Sequence, residues 1–300
     1  MAVAYKDLLD PAHLTRIENY ALMAKAAVEG FLSGMHRSVF HGFGTEFLQY
    51  RNYVPGEDLK YLDWKVYAKR DELVTKVYQE ETSMNCYFVI DASASHHYQG
   101  DRAACSKLRY ACMIAASLAY LATRQGDNIA LFAYQDSIVE ALEPGHRNGQ
   151  LHRFLQALTR LQPTGSANHE KLLQSITHHM RSRGLVVYLS DMLEAEDTLP
   201  RMLQNLNFQH CDCLALQILD PDERDLPHGY PIRYIDSETN QEVTTFADSV
   251  RGDYQQAMDQ FMGELKGGFR RAQVDYKPLL TTDHLGHALS QYLHHREAIA

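Results

Sequence analysis

The sequence lacks the features that mark several large protein classes. Its five cysteines form no paired Cys-x-x-Cys spacing, so buried free thiols are the default interpretation. Its 29 Lys and Arg residues are outnumbered by 38 Asp and Glu residues, and a net charge of -9 argues against non-specific nucleic-acid binding. Its most apolar helical stretch, residues 111–122, is far shorter than the roughly 20 residues that a membrane span needs.

Common catalytic motifs are also missing. There is no Gly-x-Ser-x-Gly elbow, no phosphate-binding Gly-x-x-x-x-Gly-Lys-Ser/Thr loop and no His-Glu-x-x-His pair. The first residues, MAVAYKDLLDPAHL, contain no basic region followed by an apolar core, so we expect no secretory signal. These absences favour a reduced, cytoplasmic binding protein over an enzyme.

Continuous apolar runs alternate with helical patterns from residue 85 onwards. Strands are predicted at 86–90, 129–134, 185–189, 211–219 and 273–280, with a hairpin over 232–246. Helices are predicted at 102–124, 149–161, 169–182, 197–207, 251–265 and 283–296. This alternation indicates a three-layer α/β domain over residues 82–300, with a mostly parallel, Rossmann-type sheet. Residues 1–81 are predicted to form a helix, over 11–33, and a Gly- and aromatic-rich flap.

Oxygen-bearing side chains occur at sequence positions that this fold would bring together. They are Asp91, Ser93 and Ser95 after one strand, Ser190 and Asp191 after another, and Thr164 and Ser166 in a connection between them. Ligands of an open α/β sheet bind outside the carboxyl ends of the strands, where the strand order reverses. A set made only of oxygen ligands suits Mg²⁺ or Mn²⁺ and disfavours Zn²⁺. The alternative interpretation of a Ser-rich turn after a strand is a helix cap.

The charge of this set also suggests what it binds. Two carboxylates balance one divalent cation, and weakly donating hydroxyl ligands leave that cation electrophilic. It would then accept a further carboxylate from outside the chain. We therefore predict a cation site at Asp91, Ser93, Ser95, Ser166 and Asp191, with Thr164 as a less certain ligand, that captures a protein partner.

The order of these motifs resembles the metal-ion-dependent adhesion site of von Willebrand factor A domains. A second resemblance lies upstream, in Gly42–Phe47, Arg51–Asp58, Leu62–Trp64, Ala68-Lys69 and Leu73, and at the end of the chain in Leu289–Arg296. These stretches resemble the family catalogued as domain of unknown function 58, in which such a block precedes the A-like domain. The resemblance covers most of the chain.

This resemblance implies a von Willebrand A-like fold and an adaptor role, with a MoxR-type AAA+ ATPase as a possible partner and no catalytic reaction. Asp91, Ser93, Ser95 and Asp191 match the metal motif of the A domains. The third motif departs from it, because the usual Thr of a Gly-Gly-Thr loop corresponds here to Ser166.

Two other functions stay open at the level of sequence. One is a Mg²⁺-dependent hydrolase of a phosphate-containing substrate, although no general base or Lys is expected in the cluster and Lys107 is interpreted as a packing residue or as one that supports the ligands without binding the ion. The other is a scaffold with a vestigial metal site. The histidine pairs, including His96 and His97, are interpreted as surface residues, and a zinc site at His284 and His287 lacks further ligands. The charged residues around Trp64, among them Asp58 and Asp63, are interpreted as structural.

Overall fold

The structure is a computed structural model of the 300-residue chain. It describes residues 9–34, 47–54, 62–78, 84–146, 149–177, 179–180, 183–193, 198–208, 211–226, 231–237 and 241–299. The statements below concern these residues. The motif stretches at 42–46 and 55–58, and with them Asp58, lie outside them.

The strands and helices follow one another in an alternating order. The strands are β1 (Phe47–Asn52), β2 (Val74–Tyr78), β3 (Asn85–Asp91), β4 (Asn128–Tyr134), β5 (Ile138–Gly145), β6 (Gly184–Ser190), β7 (Cys211–Leu219), β8 (Pro231–Ile235), β9 (Glu242–Phe246) and β10 (Asp275–Leu280). The helices are α1 (Pro11–Leu14), α2 (Tyr20–Gly34), α3 (Trp64–Arg70), α4 (Lys107–Arg124), α5 (Gln150–Arg160), α6 (His169–Thr177), α7 (Leu199–Phe208), α8 (Pro221–Asp225), α9 (Ala247–Arg271) and α10 (Gly286–Ile299).

The chain divides into two compact units, residues 1–34 with 84–300, and residues 35–83. In the smaller unit β1 pairs with β2 in antiparallel fashion. The side chain of Asp63 caps α3 by accepting from the backbone N–H groups of Lys65, at 2.9 Å, and Val66, at 3.3 Å. The structural role expected for Asp63 is thus a helix cap. The predicted boundary between residues 81 and 82 falls outside the described residues and stays a prediction.

The larger unit is built on a six-stranded sheet in the order β10-β7-β6-β3-β4-β5. All neighbours are parallel except β4 and β5. The chain therefore leaves β3 towards β5, returns to β6 and continues towards β10, so that the order reverses between β3 and β6. This is the doubly wound topology, and its switch point lies between these two strands.

Helices cover both faces of this sheet, as the apolar pattern of its strands requires. On one face Phe88 of β3 meets Phe154 of α5 with ring centroids 5.3 Å apart. On the other face Tyr87 and Val89 pack in a core that includes Leu203 of α7 and Phe269 of α9. The predicted three-layer, mostly parallel α/β fold is confirmed.

Several details differ from the sequence prediction. The single helix expected over 11–33 is broken into α1 and α2. The antiparallel edge strand β5 was not predicted, because its residues alternate between half-buried and exposed positions and form no continuous apolar run. No described helix combines the length and the apolar character that crossing a membrane requires.

Candidate metal and partner-binding site

Asp91 ends β3 and is completely buried. Its Oδ1 accepts a hydrogen bond from the backbone N–H of Ser93 at 2.9 Å, which turns the chain sharply after the strand. Its Oδ2 accepts from the hydroxyl of Ser190 at 2.7 Å and from that of Tyr134 at 3.2 Å. The strands β3 and β6 are parallel neighbours, with Ile90 beside Leu189. The ends of the two strands therefore place Asp91 and Ser190 side by side.

The other predicted ligands join the same network. The hydroxyls of Ser93 and Ser95 are 3.1 Å apart, and Ser95 donates to Asp191 Oδ2 at 2.8 Å. Gln217 of β7 holds the backbone of Asp191 by donating to its carbonyl oxygen at 2.9 Å. The structure thus brings together Asp91, Ser93, Ser95 and Asp191, which lie up to 100 positions apart in the sequence.

The third predicted loop, which contains Thr164 and Ser166, contacts the Asp91 loop through backbone hydrogen bonds. Thr164 donates its N–H to the Ala92 carbonyl at 3.1 Å, and Ala94 donates to the Gly165 carbonyl at 2.8 Å. Gly165 has a φ of 69°, a conformation that glycine adopts without strain. The side chains of Thr164 and Ser166 are exposed. No hydrogen bond joins their hydroxyls to the other predicted ligands within the described part of the chain, so their role as ligands stays a prediction.

Of the two interpretations of Lys107 from the sequence, the structure shows the one in which it supports a predicted ligand. It starts α4 and is completely buried, with its Nζ 2.8 Å from Asp191 Oδ2 and 2.5 Å from Glu223 Oε1. Burial alone would lower the pKa of this ammonium, but the two carboxylates hold it above its ordinary value. Lys107 is therefore a charged member of the cluster. No local signal reveals this, since Glu223 lies 116 positions away.

His96 is also buried, which contradicts its interpretation as a surface residue, whereas His97 is exposed. The backbone turn Ala94–His97 directs the two side chains differently. His96 Nε2 accepts a long hydrogen bond, 3.3 Å, from the Asp191 backbone N–H. It lies 3.6 Å from Asp91 Oδ2 and 4.0 Å from Asp191 Oδ2.

Electrostatics keep both aspartates of this cluster ionised. Burial opposes their charge, yet the pKa of Asp91 is lowered by His96 and that of Asp191 by Lys107 and His96. The same carboxylates raise the pKa of His96 above its ordinary value against the effect of burial. Burial raises the pKa of Glu223 above its ordinary value, and Lys107 opposes this effect only in part.

A ring of aromatic side chains lies behind Asp91. The hydroxyls of Tyr134 and Tyr188 are 2.5 Å apart, and His169 Nδ1 lies 3.0 Å from the first and 2.6 Å from the second. Burial raises the pKa of both tyrosines well above its ordinary value, so they stay neutral donors. Tyr134 donates to Asp91 Oδ2 and Tyr188 contacts Tyr134, and neither tyrosine was identified from the sequence.

A groove of about 980 Å³ opens beside Ser95 and Glu223. Its far wall is the β8–β9 hairpin, which contributes Ile235 and Val243, and these side chains are 49% and 62% exposed. Leu193, which follows Asp191 closely in the chain, lines it as well. The candidate cation site is thus continuous with an accessible apolar surface.

The residues present fit a cation. Asp91, His96 and Asp191 each offer a ligand atom, and the three atoms lie within 4.8 Å of one another. Carboxylates and serine hydroxyls are hard oxygen donors, which Mg²⁺ prefers in proteins. The structure thus places Asp91, Ser93, Ser95 and Asp191 close together with the His96 imidazole beside them, and their role as ligands stays a prediction.

Known structures and sequences resemble this chain at low identity. BatB from Bacteroides thetaiotaomicron is 13% identical with a TM-score of 0.49, covering 73% of this chain and 100% of that one. The SpRpn10 VWA domain is 11% identical with a TM-score of 0.44, covering 70% of this chain and 95% of that one. At these scores the likeness carries no information on function.

A sequence relative is Uncharacterized protein Rv1480 of Mycobacterium tuberculosis, 24% identical over 236 residues, which are 78% of this chain and 73% of the relative. Residues 49–261 match the family described as Protein of unknown function DUF58. This match spans more than half of the chain and agrees with the resemblance in its upstream block. The chain belongs to the DUF58 family.

Proposed function

We propose that this protein captures a protein partner through a divalent cation held by Asp91, Ser93, Ser95 and Asp191. The observation that supports this proposal is the convergence of their oxygen atoms at the switch point of the sheet, beside an apolar groove. When bound, the cation supplies a positive centre that accepts a carboxylate of the partner. Ser95 lines the groove and belongs to the cluster, so a partner in the groove reaches this centre.

Residues of this chain hold Asp91 in place and line the groove beside it. Asp91 is held by Ser93, Ser190 and Tyr134, which leaves it little freedom to reorient. Apolar side chains of the hairpin, Ile235 and Val243, supply contact area around the charged centre. Exposed apolar surface next to a few fixed polar groups is typical of a binding site.

The partner that we propose to test is a MoxR-type AAA+ ATPase, because the family resemblance implies it. Immobilised protein would be incubated with the purified ATPase in Mg²⁺, in Mn²⁺ and in chelator. Capture is expected with either ion and is expected to be lost in chelator and in Asp91→Asn, which keeps the side-chain volume. Asp136→Asn, an exposed acid outside the cluster, is the matched control.

A second pair of variants tests the groove. Val243→Asp and Ile235→Asp place a charge on exposed positions and are expected to reduce capture without changing cation affinity. Equal capture by wild type and Asp91→Asn, with and without chelator, would overturn the cation mechanism. Capture that is cation-dependent but unchanged in both hairpin variants would show that the partner does not bind in the groove.

Hydrolysis of a phosphate-containing substrate is the enzymatic alternative. Lys107 contacts Asp191, and a lysine there could contact a phosphate. However, its Nζ is held between Asp191 and Glu223 and is completely buried. A panel of phosphate esters incubated with Mg²⁺ tests this alternative, which requires turnover by wild type that Asp91→Asn lacks.

A further inference from the structure

The ammonium of Lys107 contacts an oxygen that the proposed function assigns to the cation. Its Nζ lies 2.8 Å from Asp191 Oδ2, which also accepts a hydrogen bond from the hydroxyl of Ser95 at 2.8 Å. On its other side Nζ lies 2.5 Å from Glu223 Oε1. Lys107 is completely buried and Asp191 is nearly so, and salt and water therefore screen their interaction little. The chain thus carries a positive charge of its own beside the proposed cation.

The distance between these two charges decides how strongly they oppose each other. A ligand oxygen lies about 2.1 Å from a Mg²⁺ ion, so an ion on Asp191 Oδ2 would be within about 5 Å of Lys107 Nζ. Even at the dielectric constant of water, the repulsion between a divalent ion and an ammonium at that distance corresponds to more than about tenfold in affinity. The effective dielectric constant of a buried site is lower, which strengthens the repulsion.

A lysine beside a metal ligand can act on the ion in two opposite ways. If it only orients the ligand, its loss lowers the metal affinity, typically by about 10- to 100-fold. If it neutralises the ligand, its loss raises the affinity. The contacts of Asp191 favour the second effect, because the residue has other supports: Gln217 donates to its carbonyl oxygen at 2.9 Å and Ser95 to its side chain.

We infer that Lys107 is an internal counter-charge that stabilises the ion-free chain and weakens the binding of the cation at Asp191. This inference rests on the proposed function and specifies how the same site is regulated. Lys107 balances the charge of Asp191 before the ion arrives, so the ion binds weakly to the chain alone. A carboxylate of the partner supplies the negative charge that Lys107 cancels, and the cation and the partner therefore bind cooperatively.

The test measures the affinity for Mg²⁺ by isothermal titration calorimetry in wild type, Lys107→Met and Lys25→Met. Lys107→Met removes the buried charge and is expected to bind Mg²⁺ at least about tenfold more tightly than wild type. Lys25→Met is the matched control, because Lys25 forms an exposed pair with Glu29 at 3.9 Å. It should leave the affinity unchanged.

A second variant, Lys107→Gln, keeps a hydrogen-bond donor but removes the charge, and it serves where Lys107→Met fails to fold. It should also bind Mg²⁺ at least about tenfold more tightly, and Mg²⁺ should raise its melting temperature by more than that of wild type. An affinity equal to or below that of wild type would overturn the inference and leave the proposed function standing. Absence of Mg²⁺ binding in wild type and in every variant would overturn both.

Discussion

At the scale of single residues, the site concentrates charge in the protein interior. Asp91, His96 and Lys107 are completely buried, and Asp191 is 4% exposed. A buried charge is stable only when it is paired and hydrogen-bonded, and each of these carboxylates has at least two partners. These charged groups stabilise one another as a network, because each one favours the ionised form of its neighbour.

Lys107→Met should destabilise the protein by about 3–5 kcal/mol when measured in chelator, because it leaves Asp191 and Glu223 without their buried counter-charge. Urea denaturation followed by circular dichroism measures this change. Arg160→Met is the control, since its pair with Glu140 lies at the surface, with Arg160 62% exposed, and should contribute less than about 1 kcal/mol. Similar losses in the two variants would contradict the role assigned to Lys107.

At the scale of secondary-structure elements, the short helix α8 connects the sheet to the site. Asp220 precedes it and forms a capping box with Glu223, while its Oδ2 accepts from the Gly100 backbone N–H at 3.0 Å. Glu223 then reaches Lys107. The loop at Gly100 and the helix α8 are therefore positioned by each other, although 120 residues separate them.

Gly100→Ala should weaken this connection. A Cβ atom at Gly100 would overlap the carboxylates of Asp220 and Asp222, at 2.5 Å from Asp220 Oδ1. We expect a loss of about 1–3 kcal/mol in unfolding free energy, as for other overpacked sites, and a weaker cation affinity because Glu223 moves with α8. Denaturation and metal titration measure the two effects.

Gly252→Ala is the matched control for this variant. Gly252 lies in α9 with open space around its Cα, so alanine should be neutral or should stabilise the helix by up to about 1 kcal/mol. A Gly100→Ala protein as stable as the Gly252→Ala protein would show that α8 is not held by this loop.

At the scale of the whole molecule, a bound cation should stabilise the folded chain. An ion at 100 times its dissociation constant adds about 2.7 kcal/mol. For a domain of this size that corresponds to a rise in melting temperature of roughly 5–10 °C. Wild type should show this rise in Mn²⁺ and lose it in chelator, whereas Asp91→Asn should show none.

The measurement should use circular dichroism. The chain's one tryptophan, Trp64, lies in the smaller unit, so its fluorescence reports on residues 35–83 and not on the sheet that carries the site. A wild-type melting temperature that no divalent ion changes would favour the scaffold with a vestigial metal site.

The sequence by itself determined the layers of the fold and which oxygen-bearing side chains meet at the strand ends. Continuous apolar strands such as Cys86–Ile90 can be stable only inside a covered sheet, and a parallel sheet fixes which strand ends meet. The meeting of Asp91, Ser93, Ser95 and Asp191 was therefore predictable from local pattern. Strand β5 was not, because an edge strand with one solvated face lacks that pattern.

Only the tertiary structure decided which charged side chains from other elements lie beside the site. Lys107 and Glu223 belong to separate helices, and His96 differs from His97 only in the direction that one turn gives its side chain. Contacts of this kind depend on how distant elements pack, and they leave no periodicity in the sequence. The structure added a buried ammonium and a buried imidazole to a set of oxygens.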